Sequence, residues 1–412
     1  MEFAKYEKNN GKFIKISKDF KSKLFEKFMK NSDDKADMGQ FFTPLKIVEE
    51  MVSMVTIFNG AKICDPASGV GKFLLEAAVS SGVDFEIVRK NDGTPDSIRK
   101  GVELFGYEKQ MSGNDDITTI LAKANMLIYF SKLFKENNDA ESVMFLSNEL
   151  LNKTFTSSTD ALGTLRRNDK DEYDIILANP PYYPDARISS LAKNTGYYPS
   201  NGQGVEALFL EWIVNALKYG GTANIILPDG IFTNLGNKEL KEFVRRNCYI
   251  ESIISLPVNS FFNTPKKTFI LTLRKKTKSE IESGVKQDHK VFTYICKSIG
   301  ETLDVNRFDI DDNDLHEATN KYNSYRMLGD KNNIQEPFKS WFESDKKMKL
   351  IDITFFDANK DWNIDNFWTD DEKIELGFKE AGIKMTIDEF QIYIDDIVND
   401  INSYKEALKC LL

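Results

Sequence analysis

Two stretches hold residues whose types and spacing can do chemistry. The first is "DIILANPPYY", residues 174–183, a buried-strand pattern that ends in an amide, two prolines and two tyrosines. Proline has no donor for a sheet ladder, so the chain must leave the sheet at Asn179. An amide pinned at a strand end by rigid turns offers a fixed acceptor, and the Pro180 carbonyl offers a second. Two adjacent acceptors suit an exocyclic amino group, which has two hydrogens to give. On a purine that amine is a poor nucleophile, because its lone pair is delocalised into the ring. Hydrogen bonds that draw its hydrogens out of the conjugated plane return the pair to nitrogen. Tyr182 would supply a flat face for stacking, and a base inside a duplex must be flipped out to reach such a pocket.

The second stretch, "KICDPASGVGKFLLEA", reads as a strand, a tight glycine turn and a helix. Gly69 and Gly71 let the backbone approach a ligand closely. A phosphate-binding P-loop needs glycine at 66 and Ser or Thr after Lys72, but Pro66 and Phe73 stand there. A dinucleotide fingerprint needs a third glycine where Leu74 stands. What remains is a turn preceded by an acid, Asp65, with a second acid, Glu108, ending the next strand, where ribose hydroxyls would lie. This pair suits a nucleoside with a cationic, amine-bearing tail and no phosphates. S-adenosylmethionine has those features.

The elements that must position these residues are legible as alternation. "AKICD", "ELFGYE", "VMFLS", "YDIILAN", "GTANIILP", "IESIISLP" and "TFILTLRK" read as strands. Helical patterns at 44–55, 71–80, 116–130, 205–220 and 237–247 lie between them. The fold class expected is α/β, a doubly wound, mainly parallel Rossmann-like sheet. The last two strands have too short a connection for a crossover helix and should form an antiparallel hairpin. In such sheets ligands bind at the strand carboxyl ends. There fall Asp65, Glu108, Asn148 and Glu149 after the third strand, and Asn179.

Four units follow: a lysine-rich helical segment at 1–35, the sheet domain at 36–276, a strand ("VFTYICKSIG") and acidic linker at 277–340, and a C-terminal region at 341–412. The last ends in a helix from Thr386 with Glu389 completing a capping box. Its Ile387, Phe390, Ile394, Ile397, Ile401, Tyr404, Leu408 and Leu411 alternate spacings of three and four, a coiled-coil seam that suits a partner helix. A helix packed on its own domain is the competing reading.

Composition narrows the function. The net charge is −9, from 55 basic and 64 acidic residues, which argues against a protein gripping nucleic acid with its whole surface. A local cleft is compatible with this, and "KKTFILTLRKKTK", 266–278, is a basic patch. The four cysteines form no CxxC pair, and the two histidines, His289 and His316, are expected at the surface, so no metal site is expected. No apolar run is long enough to span a bilayer, and the start has no signal-peptide core, which points to the cytoplasm.

"ILANPPY" resembles the catalytic motif of amino-group DNA methyltransferases, and "DPASGVGKFLLEA" resembles their cofactor motif. "GQFFTPLKIVEEMV", 39–52, resembles the extra cofactor motif of the adenine-specific gamma group. With "LKYGGTANIILPDGIF" the set looks most like the methylation subunit of type I restriction–modification systems, closely over 36–276 and more loosely over 290–325. The chain has a short helical prelude where that family carries a long helical domain.

The resemblance implies an N6-adenine methyltransferase acting on double-stranded DNA. Gln40, Phe41, Phe42, Thr43 and Pro44 would line the methionine side of S-adenosylmethionine. Asp65, Ala67, Ser68, Gly69 and Gly71 would form its turn, and Glu108 would hold the ribose. The family usually has Asp where Asn148 stands, so Asn148 or Glu149 would accept from the cofactor's adenine. Asn179, Pro180, Pro181 and Tyr182 would hold the target adenine, with Asn179 also facing the cofactor. Phe262, with Phe261 as alternative, would stack on the other face of the base.

No basic, aromatic-studded recognition module is visible after 276, so the chain is expected to need a separate specificity subunit, docked through 386–411. A restriction subunit is a further candidate partner. Three alternatives remain: a self-sufficient enzyme with its recognition element in 300–412, a non-catalytic assembly subunit, and a protein glutamine methyltransferase, which would lack "QFFTP".

Overall fold

The computed structural model describes residues 43–83, 85–110, 117–261, 266–304, 307–380 and 386–409. The expected prelude at 1–35, together with Gln40, Phe41, Phe42, Phe262, Cys410 and Leu411, lies outside them.

Helix α1 (Leu45–Ser53) precedes β1 (Ala61–Asp65) and α2 (Lys72–Ser80). Strands β2 (Glu86–Arg89) and β3 (Pro95–Arg99) form a separate hairpin before β4 (Val102–Lys109). Helices α3 (Ile117–Tyr129) and α4 (Ala140–Leu146) lead to β5 (Phe155–Ser158) and β6 (Tyr173–Ala178). Helix α5 (Val205–Ala216), β7 (Leu217–Pro228), α6 (Lys238–Asn247), β8 (Cys248–Ser255) and β9 (Thr268–Lys275) follow. After them come β10 (Val291–Ile295), α7 (Asp314–Arg326) and β11 (Met348–Ile351).

Nine of these strands make one sheet in the order β11-β10-β8-β9-β7-β6-β1-β4-β5. Pairs β1–β4, β1–β6, β4–β5, β6–β7 and β8–β10 are parallel. The expected antiparallel hairpin is present as β8–β9, and β9 also pairs antiparallel with β7. Strands such as "IILA" of β6 and all of β8 are buried along their length. Helices covering both faces explain these continuous apolar runs.

Three expectations about elements change. "VMFLS" is not a strand but part of α4. Asp139 caps that helix by accepting from the Ser142 N–H, and Ser142 and Leu146, four apart, are its buried residues. Met144 points out at 67% exposure, which a central strand would not tolerate. The strand in that place is the polar "FTSS" of β5, whose pairing with β4 overrides its weak β-propensity. The helical pattern at 205–220 stops at Ala216, because the next residues open β7. Strand β10, with β11, extends the sheet beyond 276, so one compact unit runs to Asn366 and a second begins at Phe367.

His289 is buried, its Nε2 3.5 Å from Glu251, and so is not the surface residue expected. His316 is exposed beside Glu50. The basic patch is largely consumed inside: Lys275 Nζ donates to the Leu217 carbonyl at 2.7 Å and Lys276 Nζ to the Arg245 carbonyl at 2.8 Å. Cys64, Cys248 and Cys296 are free and buried. Among the described residues no cluster could hold a metal ion, and no helix is long and apolar enough to cross a membrane.

In the second unit, α8 (Ile387–Lys409) starts with the expected capping box. Thr386 N–H donates to Glu389 at 2.8 Å, and the Glu389 N–H donates back to the Thr386 hydroxyl at 3.3 Å. Ile387, Phe390, Ile394, Ile397, Ile401 and Tyr404 of the seam are all exposed.

Candidate active site

The glycine turn sits where β1 ends. Gly71 has φ +78°, and a Cβ there would lie 2.7 Å from the Phe155 ring, so only glycine fits. The turn is tied from three elements. Ser68 N–H donates to the Tyr107 carbonyl on β4, Thr164 Oγ1 to the Pro66 carbonyl, and Asn125 Nδ2 of α3 to the Val70 carbonyl. Asn125 Oδ1, buried beside the turn, has no partner among the described residues.

Asp65 is 2% exposed and accepts from the Ala67 N–H at 3.1 Å. Burial pushes its carboxyl well above the usual range, against the Ala67 N–H, and the neighbouring Glu108 adds to the rise. Glu108 accepts from the Gly69 N–H at 2.7 Å. The two acids thus flank the turn from adjacent strands. A buried carboxylate with so costly a charge is a site for a cationic group. The pair and the glycine cradle therefore fit a nucleoside with an ammonium-bearing tail.

Asn179 stands one residue beyond β6. Its Nδ2 donates to Thr43 Oγ1 at 3.0 Å, and its Oδ1 accepts from the Tyr182 hydroxyl. That network, not the amide itself, assigns which end is oxygen. Thr43 is tied in turn to α2, where the buried Lys72 Nζ donates to the Thr43 carbonyl at 3.0 Å. One chain of contacts therefore links Thr43, Lys72 directly after the glycine turn, and the strand-end amide. The sequence reading included Thr43 but not Lys72 or Asn125. The helical register of Lys72 directly after the turn was the only signal for it.

Replacing Thr43 by Val removes the acceptor for Asn179 Nδ2 and lets the amide turn over. We expect stability to fall by about 1 kcal/mol, with Thr43→Ser near wild type. Denaturant unfolding of the two variants checks this.

Tyr182 differs from its expected role as an open stacking face. It is 4% exposed, its ring packs in the main core, and its hydroxyl also donates to the Ile226 carbonyl at 3.2 Å. The exposed ring of the pair is Tyr183. The loop is clamped behind it: Val205 N–H donates to the Tyr183 carbonyl and Lys266 Nζ to the Tyr182 carbonyl. Glu206, on the first turn of α5, sits beside the Tyr183 N–H. Burial raises its carboxyl, and its own N–H, then Lys266 and the Tyr183 N–H, oppose the rise. Pro180 is buried and Pro181 half-buried. Phe261 is fully within the core cluster, so its packing accounts for it.

Asn148 and Glu149 do not follow a strand. They lie on the π-helical turn Ser147–Asn152, before β5. Asn148 Oδ1 accepts from Asn152, and Glu149 pairs with Lys153 at 2.6 Å. The acid that does follow the third strand of this half of the sheet is Asp160, two residues past β5. The β4–β5 register sets Ser157 beside Glu108. Asp160 accepts from the Leu162 N–H at 2.8 Å and from Arg166 at 3.1 Å, and the first of these leads in holding its carboxyl low. The misplaced strand hid it.

The chain matches the family model described as N-6 DNA Methylase over residues 16–336. It is 27% identical over 259 residues to the type I restriction enzyme EcoEI methylase subunit of Escherichia coli, across 61% of this chain and 46% of that protein. It is 25% identical over 357 residues to the MjaVIII methylase subunit of Methanocaldococcus jannaschii, across 83% of this chain and 52% of that one. The chain thus spans about half the length of the curated relatives it matches. A solved type I R-M system chain shares the fold at TM-score 0.57 and 17% identity, covering 95% of this chain and 69% of that one.

Proposed function

The chain belongs to the N-6 DNA methylase family, and from that premise we propose that it is a site-specific adenine methyltransferase, EC 2.1.1.72. In this reading it transfers a methyl group to the N6 amine of a flipped-out adenine in double-stranded DNA. It acts as the methylation subunit of a restriction–modification system in the cytoplasm. The single observation that carries the reading is Asn179. Its amide is fixed at the rim of the sheet, Nδ2 toward Thr43, on a strand adjacent to the acid-flanked glycine turn.

S-adenosylmethionine supplies an electrophilic methyl on a sulfonium. Asp65 and the turn Ala67–Gly71 would hold its cationic tail, and Glu108 its ribose. Asp160 is a better placed acceptor for its adenine than Asn148 or Glu149. Asn179 Oδ1 and the Pro180 carbonyl accept the two hydrogens of the target amine and pull them out of the ring plane. The amine must compete with the Tyr182 hydroxyl for Oδ1. As that hydroxyl leaves, the Ile226 carbonyl remains as its acceptor. No general base is needed, because the alkylated amine is acidic enough to lose its proton to water. Phe262 remains our assignment for the second stacking ring.

Site choice is assigned to a separate specificity subunit, gripped by the exposed seam of α8, with a restriction subunit as a further partner. The support is the run of exposed apolar residues on a helix whose own unit leaves them uncovered. Removing residues 386–412 should abolish co-purification with that subunit and leave binding of S-adenosylhomocysteine unchanged. Loss of cofactor binding instead would sink the assignment.

The experiment for the activity uses labelled S-adenosylmethionine and DNA lacking adenine methylation, with and without a specificity subunit, followed by digestion to nucleosides. Label in N6-methyladenine only when the subunit is present supports both claims. Label with the chain alone would move recognition into this chain. No label in either case would overturn the enzymatic reading.

A further inference from the structure

A cavity of about 500 Å³ lies at the opposite edge of the sheet from Asn179 and Asp65. Its floor is built from the amino-terminal ends of β6, β7 and β8 and the end of β9, and α7 forms one wall. Asp174, on its rim, precedes Asn179 by five residues of β6, roughly 16 Å along the strand. The cavity is therefore separate from the cofactor turn.

Its charges do not balance. Arg274, Arg326 and Lys331 line it, against Glu251 and Asp174. Asp174 is already committed to Lys218 at 2.8 Å and to the Lys62 N–H at 2.9 Å. Glu251, almost fully buried, accepts from Arg274 at 2.8 Å and from Lys331 at 2.5 Å, with His289 close by. Burial alone would raise its carboxyl, but these neighbours hold it well below the usual range. Two cations and a histidine thus share one carboxylate. Arg326 adds a third cation with no carboxylate among the described residues. Its Nη1 donates to Thr56 at 2.9 Å. A guanidinium that lines a cavity with no carboxylate beside it keeps N–H groups for an oxyanion, which it can bind through charge-assisted hydrogen bonds.

The walls add a second feature. Tyr219 and Phe58 stand at the mouth with exposed rings, and Tyr322 is buried behind them. A planar body can stack on such rings, and the volume is far larger than a bare phosphate needs. We propose that this cavity is a second, non-catalytic site for a nucleotide-sized anion, its phosphate on Arg326 and its base against Tyr219.

The test is calorimetric titration of the whole chain with AMP, with inorganic phosphate as a separate arm, each repeated in excess S-adenosylhomocysteine. The proposal expects AMP to bind in the submillimolar range, about tenfold tighter than phosphate, and unchanged by S-adenosylhomocysteine. Arg326→Gln should weaken AMP at least about tenfold, with an unfolding midpoint near wild type. Tyr219→Ala, at an exposed position, should weaken AMP but not phosphate. Displacement of AMP by S-adenosylhomocysteine would place it in the cofactor turn and overturn the proposal. So would wild-type AMP affinity in both variants, equal affinity for AMP and phosphate, or no binding at about 5 mM AMP.

Discussion

Asn179→Ala should lower kcat about a thousandfold while leaving S-adenosylhomocysteine affinity within about twofold of wild type. The asymmetry follows from where the side chain sits. In the proposed reaction its oxygen would accept from the target amine, an interaction that would gain strength only as the amine pyramidalises. An acceptor realised in the transition state is lost from kcat, not from ground-state binding. Asn179→Asp sharpens the test. A carboxylate keeps the acceptor but cannot donate to Thr43, so the Thr43 hydroxyl must turn to donate instead. Its kcat should fall between wild type and Ala. Single-turnover methylation of a hemimethylated duplex, with the specificity subunit present, measures both. A loss under tenfold for Asn179→Ala would remove this residue from the chemistry.

The second large effect lies at Asp65 and runs in opposite directions for stability and for binding. The carboxyl is raised in the folded chain, chiefly by burial and then by Glu108, with the Ala67 N–H opposing. The folded value is thus above the unfolded one. The stability linked to this group is fully present below the unfolded carboxylate range, and is lost as pH rises through that range toward the raised value. Asp65→Asn cannot ionise. The ligand-free variant should therefore melt higher than wild type at neutral pH, and the difference should vanish near about pH 4. The same change removes the countercharge for an ammonium group, so cofactor affinity should fall about a hundredfold. Thermal unfolding across pH, together with calorimetry of S-adenosylhomocysteine, reads both. A variant that is neither more stable nor weaker in binding would refute this account of the site.

The comparison of sequence and structure turns on whether a signal is local. Proline after Asn179 and glycine at 71 constrain their own backbone, so the end of β6 and the turn after β1 were legible at once. Apolar patterning gave eight strand candidates, and seven stand in the sheet. The failure at "VMFLS" has a plain cause. Five apolar or small residues in a row satisfy a strand and one face of a short helix equally. The deciding features were a cap at Asp139 and a polar strand, β5, held only by its neighbour. That error carried Asn148 and Glu149 into the expected cofactor set and left Asp160 out.

By itself the sequence determined which chemistry is available. It showed an amide with adjacent carbonyls at a strand end, an acid-flanked glycine turn that cannot cradle phosphate, and almost no histidine. These are properties of residue type and short spacing. Only the tertiary structure decided orientation. Which end of the Asn179 amide is oxygen depends on Thr43, 136 residues away in sequence. Whether Tyr182 offers a face or a hydroxyl depends on the Ile226 carbonyl of β7. The insertion of β9 between β7 and β8, and the gathering of Arg274, Arg326 and Lys331 around one cavity, likewise join distant segments. The reason is physical: backbone preference is set within a few residues, whereas a side chain's rotamer and charge state are set by whatever the fold packs against it.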